Sequence, residues 1–211
     1  MSDTKQSPVD SESVARRRLG AALRRLQHNI VGRSVAPDAL DRMADQILAC
    51  DEGIATLPVR MRPESSFLAF TAANDAPDGE VLEAGYDDRP YGGWSSPLSL
   101  EMTIVRRGDR VVTEVTLGAA HEGAPGRSHG GIVAALFDDL TGFVLQIAAS
   151  PAYTGELKVR YEAPVPLGVP LVASAWMRER SGRKLFIDGE LCHGDKRLAT
   201  VETIYITVPG F

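Results

Sequence analysis

The sequence predicts an α+β fold in which one antiparallel sheet curls around a single long helix, with further helices added at the N-terminus. Residues Ser128 to Ser150 read as a helix apolar nearly all round, as in one wrapped by other elements. Turn signals stand on both sides of it. Gly108-Asp109 before the stretch, and Ser181-Gly182 and Gly194-Asp195 after it, join runs of alternating residues as hairpin connectors do. Two amphipathic patterns in the first 55 residues predict the added helices.

In chain order, residues 1–10 read as a disordered polar lead within an N-terminal helical extension, 1–59. A first helix starts at Ser11 or Ser13. It sets Val14, Leu19, Ala22, Leu23, Leu26 and Ile30 on one side, with Arg16, Arg17, Arg24 and Arg25 among its exposed positions, and Gly32 closes it. The arginines read as a solvated face ahead of a phosphate or membrane site. Pro37 suits the first turn of a second helix, whose Leu40, Met43, Ile47 and Leu48 precede the terminating Gly53. Two amphipathic helices must cover something, here the main domain or a second subunit.

Residues 60–97 carry Pro63, Pro77, Pro90 and Pro97 with Phe67, Phe70, Tyr86, Tyr91 and Trp94, and read as an irregular linker or cover. Within them Tyr91-Gly-Gly-Trp94 reads as turn punctuation with packed aromatics ahead of a pocket lining. The main domain spans 98–211. Its strands begin near Leu98, where Leu100, Met102 and Ile104 alternate with polar neighbours, and continue over 111–117. After the helix come 156–163, 171–180, 183–193 and 196–208.

A formal net charge of −5 and the absence of a basic, aromatic-rich stretch argue against nucleic acid as a partner. Cys50 and Cys192 stand far apart, and the four histidines show no ligand spacing, so neither a disulfide framework, a metal nor another cofactor is expected. The polar N-terminus lacks a secretory pattern and no run reaches a membrane span, so a cytoplasmic protein without membrane partners is expected.

The chemistry concentrates in the central helix. Gly131, Ala134, Ala135 and Asp138 recur at three- and four-residue steps, a stripe of minimal side chains that leaves room for a substrate and ends in a carboxylate. Asp139, turned about 100° away, is better placed for a structural hydrogen bond. Helix pattern alone divides Asp138 between a catalytic and a satisfied structural carboxylate. At the helix start, Gly130 and Gly131 present bare N–H groups suited to an oxyanion, although tight loop entry explains two glycines equally well. His129 before them reads first as a cap or packing residue. Gly130 and Asp138 lie about 12 Å apart along one helix, so a single carbonyl cannot touch both. If both act, the site joins two antiparallel central helices from two chains.

The run His129-Gly-Gly-Ile-Val-Ala-Ala-Leu-Phe-Asp138 resembles the signature of the hotdog-fold acyl-CoA thioesterases of the phenylacetate-pathway type, and Tyr161-Glu-Ala-Pro164 is similar to the strand that follows the helix there. The resemblance covers roughly residues 98–208. It implies a hotdog fold and hydrolysis of acyl-CoA to a carboxylic acid and coenzyme A, without a cofactor. Asp138 would be the nucleophile or general base, Gly130 the N–H that polarises the thioester carbonyl, His129 the support of that loop, and Thr154 a hydrogen-bond partner of water or carboxylate. Active sites would lie at a homodimer interface, with dimers pairing into tetramers. Where many members carry Asn or Gln six residues before the His, this chain has Gly123, and its Glu122-Gly-Ala-Pro-Gly126 loop looks like the branch that includes the mitochondrial thioesterases. Two other readings fit the same fold: a non-catalytic acyl-CoA-binding or regulatory protein, and a hotdog enoyl-CoA hydratase. For the phosphates of coenzyme A, Arg127, Lys158, Arg160, Arg183 and Lys184 are candidates.

Overall fold

The computed structural model describes residues 11–61, 76–83 and 86–209. The expected polar lead over 1–10, and Phe67 and Phe70, lie outside the described residues. Helices α1 (Ser11–Gly32) and α2 (Pro37–Ala55) precede strands β1 (Val105–Arg107) and β2 (Arg110–Thr116); α3 (Gly130–Ile147) follows, and then β3 (Ala152–Tyr161), β4 (Pro170–Ser181), β5 (Lys184–His193) and β6 (Lys196–Thr207). The six strands form one antiparallel sheet in the order β1-β2-β4-β5-β6-β3. This is the predicted α+β hotdog arrangement, a sheet folded over one helix.

Local chemistry sets the hairpins. Gly108, Gly182 and Gly194 each open a two-residue connection with φ near +60°, a conformation that only glycine adopts without strain. Residues 98–104 differ from expectation. Leu100, Met102 and Ile104 are buried alternately with exposed Glu101 and Thr103, but Glu101 takes φ +56°, which interrupts the extended backbone. The first paired strand therefore begins at Val105, where Leu82 N donates to Ile104 O and Arg106 N to Glu80 O.

The core forms where α3 meets the concave face. Leu136, Phe137, Leu140 and Phe143 pack under Leu171, Ala173 and Ala175 of β4, Leu185, Ile187 and Leu191 of β5, and Val201 of β6. Each large apolar side chain so buried contributes about 1.5–3 kcal/mol, and the two alanines let the helix approach the strand closely. Length and composition would let α3 cross a membrane, alone among the described residues, but more than half of it is buried within this fold. It is not wrapped on every side: Gly131 and Asp138 are exposed, with Ala134 and Ala135 partly so.

The N-terminal helices correct the amphipathic reading. Arg24, expected outside, is buried at 4% exposure, whereas Val14, Leu19 and Ile30 of the apolar stripe face solvent. Helix α1 docks through a polar stripe at helical spacing, Arg17, Gly20, Arg24 and His28. A side chain at Gly20 would collide with Ser95 O at 2.6 Å, so glycine is what admits the contact. Helix α2 buries no residue at all and leaves Leu40, Ile47, Leu48 and Ile54 exposed, so within this chain it does not supply the cover expected of it.

Candidate active site

The loop before α3 is shaped by close approach. His129 N donates to His121 O at 2.8 Å, Gly123 N to Arg127 O at 3.0 Å, and Ser128 N to Val165 O at 2.9 Å. A Cβ at Gly123 would lie 2.7 Å from His129 Cα, so the position where many resembling proteins carry an amide side chain is here occupied by backbone packed on backbone. His129 is the N-cap of α3. Its Nδ1 accepts from Gly131 N at 2.9 Å, which leaves the ring proton on Nε2. Ile132 N and Val133 N both donate to His129 O. Of the first four N–H groups of the helix, Gly130's is left without a partner among the described residues, and Tyr161 Oη donates to the carbonyl of the same residue at 2.7 Å.

Two turns further along, Asp138 projects to the surface of the single chain. Thr154 Oγ1 donates to its Oδ1 at 3.1 Å. Thr154 belongs to β3, which begins four residues before the predicted strand and carries a bulge at Gly155 that shifts the register between Thr154 and Glu156. Beneath them Tyr205 Oη donates to Asp138 O at 3.2 Å and lies 2.9 Å from Thr141 Oγ1. Burial pushes the Tyr205 phenol up to about 12, so it stays a donor at neutral pH. Asp139 is turned inward, as its spacing predicted, and is paired there with Arg89.

Two hollows result. One of about 130 Å³ opens beside Asp138 and is lined by Thr154, Tyr153, Gly142, Leu145, Tyr86 and Arg89, among others. The other, of about 420 Å³, lies at the helix start against Gly130, Arg127, Tyr161 and Pro164. The structure thus brings Asp138 and Thr154 together at the smaller hollow, and His129 and Gly130 together at the helix start, where Gly130 but not His129 lines the larger one. Gly131, Ala134 and Ala135 line neither; they form the open helix face between them. Of the basic candidates, Arg127 borders the larger hollow, Lys158 pairs with Glu202 at 3.5 Å and Arg183 donates to Thr207 O at 2.9 Å.

Sequence reasoning missed Tyr86, Arg89, Gly142 and Tyr205. The first two come from the segment read as a linker or cover, whose Gly92 lies against α3: it has no side chain to hold it off Asp139, whose Oδ2 would be 3.3 Å from a Cβ there. Helix α1 secures this segment. Arg17 pairs with Asp87 at 2.7 Å, and Arg24 donates to Trp94 O at 3.0 Å, Ser96 O at 2.6 Å and Glu101 Oε1 at 3.0 Å. Tyr91 packs against the core, as its turn-and-packing reading expected.

Residues 126–200 match the family model of the thioesterase superfamily. Among curated proteins the chain is similar to the acyl-coenzyme A thioesterase THEM4 of Xenopus laevis, 33% identical over 95 residues, which is 44% of this chain and 43% of that protein. The THEM4 of Mus musculus is 37% identical over 71 residues, 33% of this chain and 30% of that protein. The matches thus span less than half the length of these relatives. A crystal structure of a thioesterase superfamily protein superposes with a TM-score of 0.76 at 23% identity, covering 91% of this chain and 95% of the other. At that coverage the shared fold takes in the N-terminal helices as well as the sheet.

Proposed function

We propose that the protein is a thioesterase that hydrolyses acyl-CoA thioesters to a carboxylic acid and free coenzyme A, a reading supported by the match of residues 126–200 to the thioesterase superfamily model. The observation that carries the proposal is the Thr154–Asp138 hydrogen bond at the mouth of a hollow, on a helix face stripped of large side chains. A carboxylate so held attacks the thioester carbon, either directly or through a water shared with Thr154. The carbonyl oxygen takes the developing charge on the Gly130 N–H at the positive end of α3, which His129 holds in shape by capping it. The THEM4 relatives carry the same activity in their names.

The proposed site joins two subunits. Gly130 and Asp138 of one chain are about 12 Å apart and face different hollows. Strand β3 is an edge strand of the sheet and shows Tyr153 and Tyr161 at 52% exposure each. Pairing of β3 with β3 of a second copy continues the sheet and lays the two α3 helices antiparallel, Gly130 of one beside Asp138 of the other. Dimers pairing into tetramers extend the same proposal.

Free-thiol release from a panel of acyl-CoAs tests the activity, and sedimentation tests the assembly. Asp138→Asn is expected to lose about 10³-fold or more in kcat while keeping the wild-type mass. Saturable binding without thiol release would overturn the proposal, as would a monomer that retains full activity.

A further inference from the structure

The hollow beside Asp138 is small, about 130 Å³. Besides the carboxylate and Thr154, it is lined by Gly142, one turn further along α3, by Leu145, and by Arg89 and Tyr86. Arg89 lies across the helix there. It is held by the ion pair with buried Asp139 and by the face of Phe143, 5.0 Å from the ring centre. Neither Arg89 nor Tyr86 belongs to the sheet-and-helix core. Both come from the cover segment before the main domain, which α1 fastens through Arg17 and Arg24, so this side of the hollow is built from outside the sheet-and-helix core.

We propose that Arg89 and Gly142 determine substrate specificity: they bound an acyl subsite beside Asp138 that takes short acyl groups and stops longer chains. The assignment rests on the proposed thioesterase activity and adds its substrate class. A cavity of about 150 Å³ holds one benzene ring, so a hollow of about 130 Å³ holds roughly six non-hydrogen atoms. A longer alkyl chain would have to displace the Arg89–Asp139 pair and leave a buried charge unpartnered. Gly142 gives the subsite its width. A Cβ added there would meet only Arg89 Nη2 at 3.6 Å and Tyr205 Oη at 3.7 Å, ordinary contacts that the fold accommodates.

The experiment measures kcat/KM on straight-chain acyl-CoAs from acetyl to dodecanoyl for the wild type, for Gly142→Ala, and for a double variant carrying Arg89→Met and Asp139→Asn, which removes both charges together. The wild type is expected to peak near hexanoyl and to fall about tenfold or more by dodecanoyl. Gly142→Ala should lower the hexanoyl-to-acetyl ratio about tenfold by filling the subsite with one methyl. The double variant should move the optimum to longer chains. A wild type active on every length alike, or an active Gly142→Ala enzyme whose ratio is unmoved, overturns this assignment alone. A wild type inactive on all of them overturns the thioesterase reading together with it.

Discussion

Thr154 Oγ1 donates to Asp138 Oδ1 at 3.1 Å across the gap between an edge strand and the central helix, joining two residues sixteen positions apart on opposite sides of a turn. The hydroxyl can hold a carboxylate oxygen or a water beside it. Thr154→Ser keeps the donor and should stay within about fivefold of wild-type kcat, whereas Thr154→Val keeps the shape and should lose about 10–100-fold. Steady-state thiol release decides this. Equal rates for the valine and serine variants would reduce Thr154 to a packing residue.

Tyr161 and Gly130 make a second test, at the other end of α3. The Tyr161 phenol donates to Gly130 O, and a Cβ at Gly130 would stand 3.1 Å from the phenol oxygen, Tyr161 Oη. Gly130→Ala should therefore tilt the peptide whose N–H is proposed to polarise the thioester carbonyl, and cost about 10²-fold in kcat. Tyr161→Phe, which removes only the tether, should cost less. If the alanine variant raises KM and spares kcat, Gly130 binds substrate without stabilising charge in the transition state.

The parts of this fold that were legible in the sequence are those fixed by near neighbours. The hairpin glycines announce their turns because φ near +60° is a local demand, and the stripe ending at Asp138 is visible because helical spacing alone creates it. Arg24 and Arg89 were not legible. Their partners lie 70 and 50 residues away, and an arginine that buries itself on backbone carbonyls looks in sequence like any solvated one. The α1 stripe misled for the same reason. Apolar spacing predicts which face is greasy, but Gly20 and Arg24 decide which face docks. Gly123 shows the converse, a departure from the family pattern that becomes intelligible only when His129 is seen 2.7 Å from its missing Cβ.

That docking yields a third expectation. Arg24→Met leaves the carbonyls of Trp94 and Ser96 without their donor and should destabilise the protein by about 2–4 kcal/mol. Gly20→Ala drives a methyl into Ser95 O and should release α1 in the same way. Leu19→Ala, at a position 54% exposed, should change stability by less than about 0.5 kcal/mol. Thermal unfolding of the three variants checks the order. A Leu19 variant as damaged as the Arg24 variant would return the apolar stripe to the interface.

The last expectation concerns pH. Burial, and after it the charge of His28, bring the His121 imidazole from 6.5 down to about 4, with Glu101 acting weakly in the opposite sense. The two rings meet edge to face at 4.7 Å, where α1 crosses the loop that leads into α3. The folded state therefore keeps His121 neutral. Between pH 6.5 and about 4 the unfolded chain binds a proton that the folded chain refuses, so this residue's contribution is complete above pH 6.5 and is lost as pH falls through that window. It amounts to up to about 3 kcal/mol, of which about 2 kcal/mol is gone by pH 5. His121→Asn retains an acceptor for Gly118 N, which Nδ1 now binds at 3.1 Å, but does not titrate. Urea midpoints at pH 7.5 and pH 5 should fall further for the wild type than for this variant, by about 2 kcal/mol after conversion. Equal losses in the two proteins would mean that His121 accepts its proton within the folded structure.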